Sequence, residues 1–438
     1  MVCEVLVGMQ GRIDATRLFS DRLFKILLKA GCMRLMWDRQ IVVYHKGPGT
    51  GTDNSLTQVV NALHNAADTD GQSPPVGWAM IGWHVDDGCG VACDVHHCLD
   101  PQKNRVVQYL KGQVAITYAT TLTGWHGSKA LGFLLTQNDE KRTVSMSAPD
   151  ALAQAVKLVT TDSMSVSPKH VRSETAKLIT AGVEPASGDP ARAPFLLMQQ
   201  KCRKILGICI WLSNAYADIV EPTNLLCAHM HSPSEETLKH ATHMLMHKSK
   251  NGRCNTYGGW GIEGLETPAT RVPPYAAGRK DMSFHFFSDA DVNLPSTSGG
   301  VGMLAGGPVI ARSQRLHLSA PNSHTTEVVS AGDNLNLVIP TNGLLQEVRI
   351  RLGVRTAYYL DSATTVFVAT DDAAARKSAW LIRRVQVLRE STSDEIEPIH
   401  IPERKMAADP FTKYLSYEVW DRHMQYVMNY NSGHPSVE

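Results

Sequence analysis

Leu18, Leu23, Phe24 and Leu27 recur at helical spacing and predict a helix over residues 14–30. Residues 33–44 read as a strand. Residues 45–75 are rich in Gly, Thr and Asn and read as a long loop or insertion. An apolar run over 76–83 leads into His84-Val85-Asp86-Asp87-Gly88, and a second apolar run over 89–93 follows at once. Strand, acidic turn and strand predict a hairpin with two carboxylates at its tip. Residues 100–160 alternate helix and strand, and Lys129-Ala130-Leu131-Gly132-Phe133-Leu134-Leu135 reads as a buried strand.

Residues 160–194 are rich in Ser, Thr, Pro and Ala and mark a boundary. Helices are predicted over 197–215 and 234–248, the second opened by the start signal Ser232-Pro233-Ser234-Glu235-Glu236. A Gly/Pro-rich connector spans 251–279. Beyond Met282 the pattern predicts strands at 282–288, 300–305 and 308–318, then helices at 324–340 and 343–352. A strand at 364–370, a helix at 372–390, a strand at 396–401 and a helix at 413–430 complete it. Three adjacent antiparallel strands followed by alternating helices and strands predict a mixed α/β sheet.

Composition narrows the setting. At 438 residues the chain is long enough for two or three domains, and 43% hydrophobic content is that of a globular protein. No apolar run approaches the ~20 residues that span a bilayer. The first residues lack the basic start and long apolar core of a signal peptide. Nine cysteines at scattered spacing read as reduced thiols of an intracellular protein. Lys plus Arg is 43 against 42 for Asp plus Glu, so net charge gives no argument for nucleic acid. Such binding would rest on local patches, such as Lys201-Cys202-Arg203-Lys204 or Arg383, Arg384 and Arg389, which also read as solvated helix faces.

The candidate chemistry lies in carboxylates at the edges of predicted elements: Asp289, Glu327, Asp371 and Asp409. Clustered carboxylates raise one another's pKa unless a cation compensates. Hard oxygen ligands suit Mg²⁺ or Mn²⁺, and two such ions can clamp both oxygens of a phosphodiester displacement. That is the chemistry of a metal-dependent nuclease.

The words around these acids resemble the ribonuclease H domain of copia-type retrotransposon polyproteins. They are Ser288-Asp289-Ala290-Asp291, Ser296-Thr297-Ser298-Gly299-Gly300, Met303-Leu304-Ala305-Gly306-Gly307-Pro308-Val309, Ser323-His324-Thr325-Thr326-Glu327 and Ala408-Asp409-Pro410-Phe411-Thr412-Lys413. The resemblance implies that Asp289, Glu327 and Asp371 hold two Mg²⁺ ions and that Asp409 completes the second site. One ion would generate the attacking hydroxide and the other stabilise the leaving 3′-oxygen. The implied substrate is the RNA strand of an RNA–DNA hybrid, recognised by shape and 2′-hydroxyls.

Upstream, His84-Val85-Asp86-Asp87 resembles the metal-binding hairpin of a reverse transcriptase palm. Val7-Gly8-Met9-Gln10-Gly11-Arg12 with Arg17-Leu18-Phe19, Lys129-Ala130-Leu131-Gly132, Leu206-Gly207-Ile208 and Ser232-Pro233-Ser234 resemble other parts of the same polyprotein. The fold implied is α+β: a truncated palm over 1–160, a thumb/connection over 161–279 and a ribonuclease H-like domain over 280–438. Asp86 and Asp87 would be the polymerase metal ligands, and primer, template and deoxynucleotides the further partners. The location would be a cytoplasmic particle or the nucleus, with no membrane partner. The palm's first Asp strand would lie upstream of Val7, so polymerase activity is expected to be incomplete in this chain. The alternative is an inactive nucleic-acid-binding remnant.

The chain departs from the family at three places. Tyr216-Ala217-Asp218 stands where the family carries Arg-Pro-Asp. Trp380-Leu381-Ile382-Arg383-Arg384 replaces a His-Ile-Asp stretch, and Asp372 stands where Asn is usual. Two rival chemistries have residues to draw on. Cys89, Cys93, His96, His97 and Cys98 offer zinc donors but lack the paired-knuckle spacing. Ser313, Ser319, His317 and His324 lack the Gly-x-Ser-x-Gly elbow of a hydrolase.

Overall fold

The computed structural model describes residues 23–29, 33–34, 41–45, 78–84, 87–92, 127–138, 143–159, 179–258, 284–292, 296–316, 322–347, 355–371 and 382–430. They form an α+β architecture in two compact units. One comprises residues 1–131 and 340–351, the other 132–339 and 352–438.

In the first unit, residues 23–29 are helical and bury Leu23, Phe24 and Leu27. The predicted strand over 33–44 is instead two strands, β1 (Met33–Arg34) and β2 (Ile41–His45), which pair antiparallel. The predicted hairpin forms from β3 (Trp78–His84) and β4 (Asp87–Ala92), with His84 opposite Asp87. Together these make an antiparallel sheet in the order β1-β2-β3-β4. A short strand, β5 (Ser128–Ala130), is the last described strand of this unit.

The second unit begins with β6 (Phe133–Asn138) and β7 (Thr143–Ser147). The strand predicted across 129–135 is therefore broken at Leu131 and Gly132, both at positive φ, and β6 is half-buried rather than fully buried. Gly132 suits this turn because a left-handed φ costs glycine little. Helices α1 (Pro149–Val159), α2 (Arg192–Leu212), α3 (Val220–Cys227) and α4 (Glu235–Asn251) follow, then strand β8 (Asn255–Gly258) beside β7. On α2, Phe195, Cys202, Ile205, Leu206, Cys209 and Leu212 form the buried stripe, while Lys201, Arg203 and Lys204 face water. The predicted start signal of α4 holds. Ser234 caps the helix, accepting from Thr237 N–H at 3.4 Å while Thr237 Oγ1 accepts from Ser234 N–H at 3.1 Å.

The C-terminal sheet is built from β9 (His285–Asp291), β10 (Thr297–Leu304), β11 (Gly307–Arg315), β12 (Thr356–Leu360) and β13 (Ile396–His400). Its order is β11-β10-β9-β12-β13. β9, β10 and β11 are antiparallel neighbours, whereas β12 is parallel to both β9 and β13. The mixed sheet is as the pattern predicts, but one strand moves. Residues 364–370 are helical, within α6 (Ala363–Thr370), and the strand lies at 356–360. The two helices predicted at 324–340 and 343–352 are one, α5 (Ser323–Glu347), which runs through Pro340. α7 (Ile382–Asp394) and α8 (Tyr417–Val427) are the last helices among the described residues.

β9 is central and buried on both faces, so Phe286 and Phe287 are both fully buried instead of alternating between core and surface. Phe286 stacks on Tyr358 and Phe287 on Tyr359 across the parallel pair. One core runs from Ile205 and Leu206 of α2 and Met244 of α4 to Phe287, Tyr359, Phe411 and Trp420.

A buried ion pair ties the helices together. Lys248 Nζ lies 2.7 Å from Asp218 Oδ2, with both side chains essentially inaccessible, and 4.5 Å from the centre of the Tyr216 ring. Burial pulls the Lys248 pKa below its ordinary value, and Asp218 opposes that pull. Lys248→Met is expected to cost about 3–5 kcal/mol, because it strands a buried carboxylate. Adding Asp218→Asn should restore most of the loss, as read from urea-unfolding midpoints of the single and double variants.

Candidate metal centre

The parallel register of β9 and β12 creates the site. Ser288 is paired with Leu360, so Asp361, the residue that follows the end of β12, lies beside Asp289 near the carboxyl end of β9. Such ends are where open α/β sheets place their ligands. Ser362 then starts α6, its Oγ accepting from Thr365 N–H at 3.2 Å. Asp361 is thereby fixed between a strand that ends and a helix that begins.

Asp409 arrives from the opposite end of the sequence. Asp409-Pro410-Phe411 is a single 3-10 turn, and the Asp409 carbonyl accepts from the backbone N–H groups of Thr412 and Lys413 at 3.1 Å each. Phe411 anchors the turn in the core. Gly299, opposite Asp289 in the β9–β10 ladder, lets the turn approach. A Cβ there would lie 2.5 Å from Thr412 Cγ2 and 3.0 Å from Phe411 Cβ. The Thr412 hydroxyl donates to Asp289 Oδ2.

One oxygen from each of Asp289, Asp361 and Asp409 comes within 4.8 Å of the others. Asp289 and Asp409 are buried and Asp361 is half-buried. Glu327 joins them from the second turn of α5, whose start Asn322 Oδ1 caps by accepting from Thr325 N–H at 2.9 Å. Burial first, then Asp289 and Asp361, raise Glu327 well above the usual carboxylate range, and Lys413 and the Ala290 N–H oppose this. Burial and Asp289 push Asp361 up to about 6 and Asp409 up to about 8. Lys413 answers this negative charge. Burial alone would lower its pKa, but Asp289, Asp409 and Glu403 hold it above its ordinary value.

The donor set fits a hard divalent cation. It offers only carboxylate oxygens, on three elements held rigidly by the sheet, the core and a capped helix. Mg²⁺ and Mn²⁺ are the ions such a set takes.

Of the acids expected from the sequence, Asp289 and Asp409 come together, with Glu327 beside them. Asp371 is not in the group. It is the C-cap of α6, its N–H donating to Phe367 O at 2.9 Å, and the eight-residue helix carries it about 12 Å along the axis from Asp361. Asp361 takes the third place instead. Its signal is the aromatic strand Ala357-Tyr358-Tyr359-Leu360 running into Asp361-Ser362, a strand end that meets a helix cap. Asp87 opens β4, and Asp86 lies outside the described residues. Among the candidate zinc donors, Cys93, His96, His97 and Cys98 also lie outside them. No helix among the described residues is long and apolar enough to cross a membrane.

Compared with known proteins, the chain matches no family model and no curated protein.

The raised carboxylates set a pH dependence. A carboxylate whose pKa is higher folded than unfolded takes up protons on folding, so its contribution to stability falls as pH rises between the two values. The ordinary Asp value is 3.8, and the folded values are about 6 for Asp361 and about 8 for Asp409. Lys413 stays charged throughout this window. These two acids should therefore subtract increasingly from the stability of metal-free protein as pH rises from about 4 to about 8, while the buried His423, lowered to about 4, works the other way only up to its ordinary value of 6.5. Asp409→Asn should flatten the upper part of that fall, and Mg²⁺ or Mn²⁺ added at the alkaline end should reverse it, as read by calorimetry across pH.

Proposed function

We propose that this chain is the reverse transcriptase/ribonuclease H part of a copia-type retroelement, and that its C-terminal sheet hydrolyses the RNA strand of RNA–DNA hybrids. The observation that carries this reading is the convergence of Asp289, Asp361 and Asp409 at the carboxyl end of β9 and β12, with Glu327 alongside. The strand order, three antiparallel strands followed by two parallel ones, supports it as well. So do the words that surround Asp289, Glu327 and Asp409. The β3–β4 hairpin supports the polymerase-like reading of the N-terminal part.

The residues divide the work. Asp289, Asp361 and Asp409 would hold the divalent ions, with Glu327 adding negative charge beside them. Bound there, Mg²⁺ or Mn²⁺ supplies Lewis-acid activation of water and of the departing 3′-oxygen. The chain's own contribution is positioning: the sheet holds two acids in register, the buried Phe411 turn holds the third, and Thr412 keeps the Asp289 carboxylate oriented.

The 438-residue chain, incubated with Mg²⁺ and an end-labelled RNA–DNA hybrid, is expected to cleave the RNA strand. Asp289→Asn and Asp361→Asn should each lower the rate at least about a hundredfold. Asp371→Asn should leave it unchanged. Hybrid bound but never cut by the wild-type chain would favour the inactive-remnant reading and overturn this one.

A further inference from the structure

The hydrolytic reading leaves Lys413 without a role, yet it lies inside the centre. Its Nζ is 3.0 Å from Asp409 Oδ1, 3.9 Å from Asp289 Oδ2 and 3.5 Å from Glu403 Oε1. Its backbone N–H donates to the Asp409 carbonyl, so the ammonium is tethered to the acid it neutralises. Asp409 and Asp289 are almost inaccessible, whereas Lys413 is one-quarter exposed and Glu403 three-quarters exposed. Among the described residues, no ion pair reaches Asp361 or Glu327.

The centre is therefore electrostatically lopsided. The Asp289–Asp409 side carries its own cation. On the Asp361–Glu327 side no cation among the described residues is within ion-pairing distance, and Lys413 acts on these two acids only at longer range. A first divalent ion gains most on the side with no cation in contact, and a second must evict an ammonium that two buried carboxylates hold. Glu403 gives that ammonium somewhere to go, since the side chain already reaches it and is open to solvent.

We propose that Lys413 is a resident stand-in for the second divalent ion. Without nucleic acid the centre takes one ion, on the Asp361–Glu327 side, and the Lys413 ammonium fills the second position until it is displaced toward Glu403. The inference rests on the metal-centre reading above. It makes Lys413 a positioning residue that sets how many ions the site holds, acting as a gate on the second one.

The test is metal binding to the full chain without nucleic acid, read by Mn²⁺ electron paramagnetic resonance and by isothermal titration. Wild type should take up one Mn²⁺ tightly, and Asp361→Asn should lose it. Lys413→Met should bind a second Mn²⁺ at least about tenfold more tightly than wild type does, because a unit positive charge has left the second position. Lys413→Arg keeps the charge and should behave as wild type. Glu403→Gln, at an exposed position where folding is not at stake, should weaken second-ion binding by removing the landing site. Equal second-ion affinity in wild type and Lys413→Met, or a Glu403→Gln chain that binds as wild type does, would overturn the role of Lys413 while leaving the metal centre standing. If wild type binds no Mn²⁺, the metal reading itself fails and this inference fails with it.

Discussion

Carboxylates within 4.8 Å of one another, at the end of a sheet and largely out of water, repel strongly enough that the rest of the centre has to answer them. Three responses are visible. Asp361 and Asp409 move toward the protonated state. Asp289 accepts from the Thr412 hydroxyl, and Lys413 is held between Asp289 and Asp409. Folding alone gains nothing from bringing these acids together, and apolar side chains of similar volume would be less costly there. The arrangement makes physical sense as a place where cation binding recovers what folding spends. Strain of this kind concentrates where a site binds or reacts.

The sheet is built to hold that repulsion. Parallel pairing sets Asp361 beside Asp289, and stacked rings lock the register, with Phe286 on Tyr358 and Phe287 on Tyr359. On the other side of β9, glycines make room. A Cβ on Gly300 would fall 2.7 Å from the Phe286 ring, just as one on Gly299 would strike Thr412. Asn334 of α5 then donates to both Ser288 Oγ, at 2.9 Å, and the Gly299 carbonyl, at 3.0 Å. Ser330 of the same helix donates to the Asp289 carbonyl at 2.8 Å. The helix that carries Glu327 is thus bonded to the strand that carries Asp289 through buried polar contacts whose geometry leaves little slack.

Three of the acids at the centre were legible in the sequence because short polar words flank them: Asp289, Glu327 and Asp409. Asp361 was not, for a local physical reason. Thr364-Thr365-Val366-Phe367-Val368-Ala369-Thr370 is rich in β-branched residues and reads as a strand. Ser362 decides otherwise, because its side chain caps the segment and makes it a helix. That shift of one element moves the third carboxylate from Asp371 to Asp361. The two helices expected at 324–340 and 343–352 are likewise one, and α5 continues past Pro340. The antiparallel order of β9, β10 and β11 was readable from spacing. The parallel β9–β12 register was not, since parallel partners lie far apart in sequence and no turn records their alignment. Lys413 was in view as the last residue of a motif, but its place between two carboxylates depends on a tertiary approach that only Gly299 permits.

Periodicity also draws a line near residue 280 that the packing does not respect. The connector there is Gly- and Pro-rich, yet the apolar core on its two sides is continuous. Cys209 and Leu212 of α2 and Leu245 of α4 belong to the same buried cluster as Phe287, Tyr359, Phe411 and Met424. Tyr257 of β8 donates to the Pro308 carbonyl of β11 at 3.0 Å, and the Gly258 N–H donates to Ala305 O at 2.7 Å. Arg253, next to β8, pairs with Asp421 of α8 at 2.5 Å. The turn that carries Asp409 leads directly into α8, so the third carboxylate is held in part by residues far outside the C-terminal sheet. Cutting the chain at the connector would expose both halves of one core. The geometry of the centre is in this sense a property of the whole second unit, from the α2–α4 helices to the five-stranded sheet.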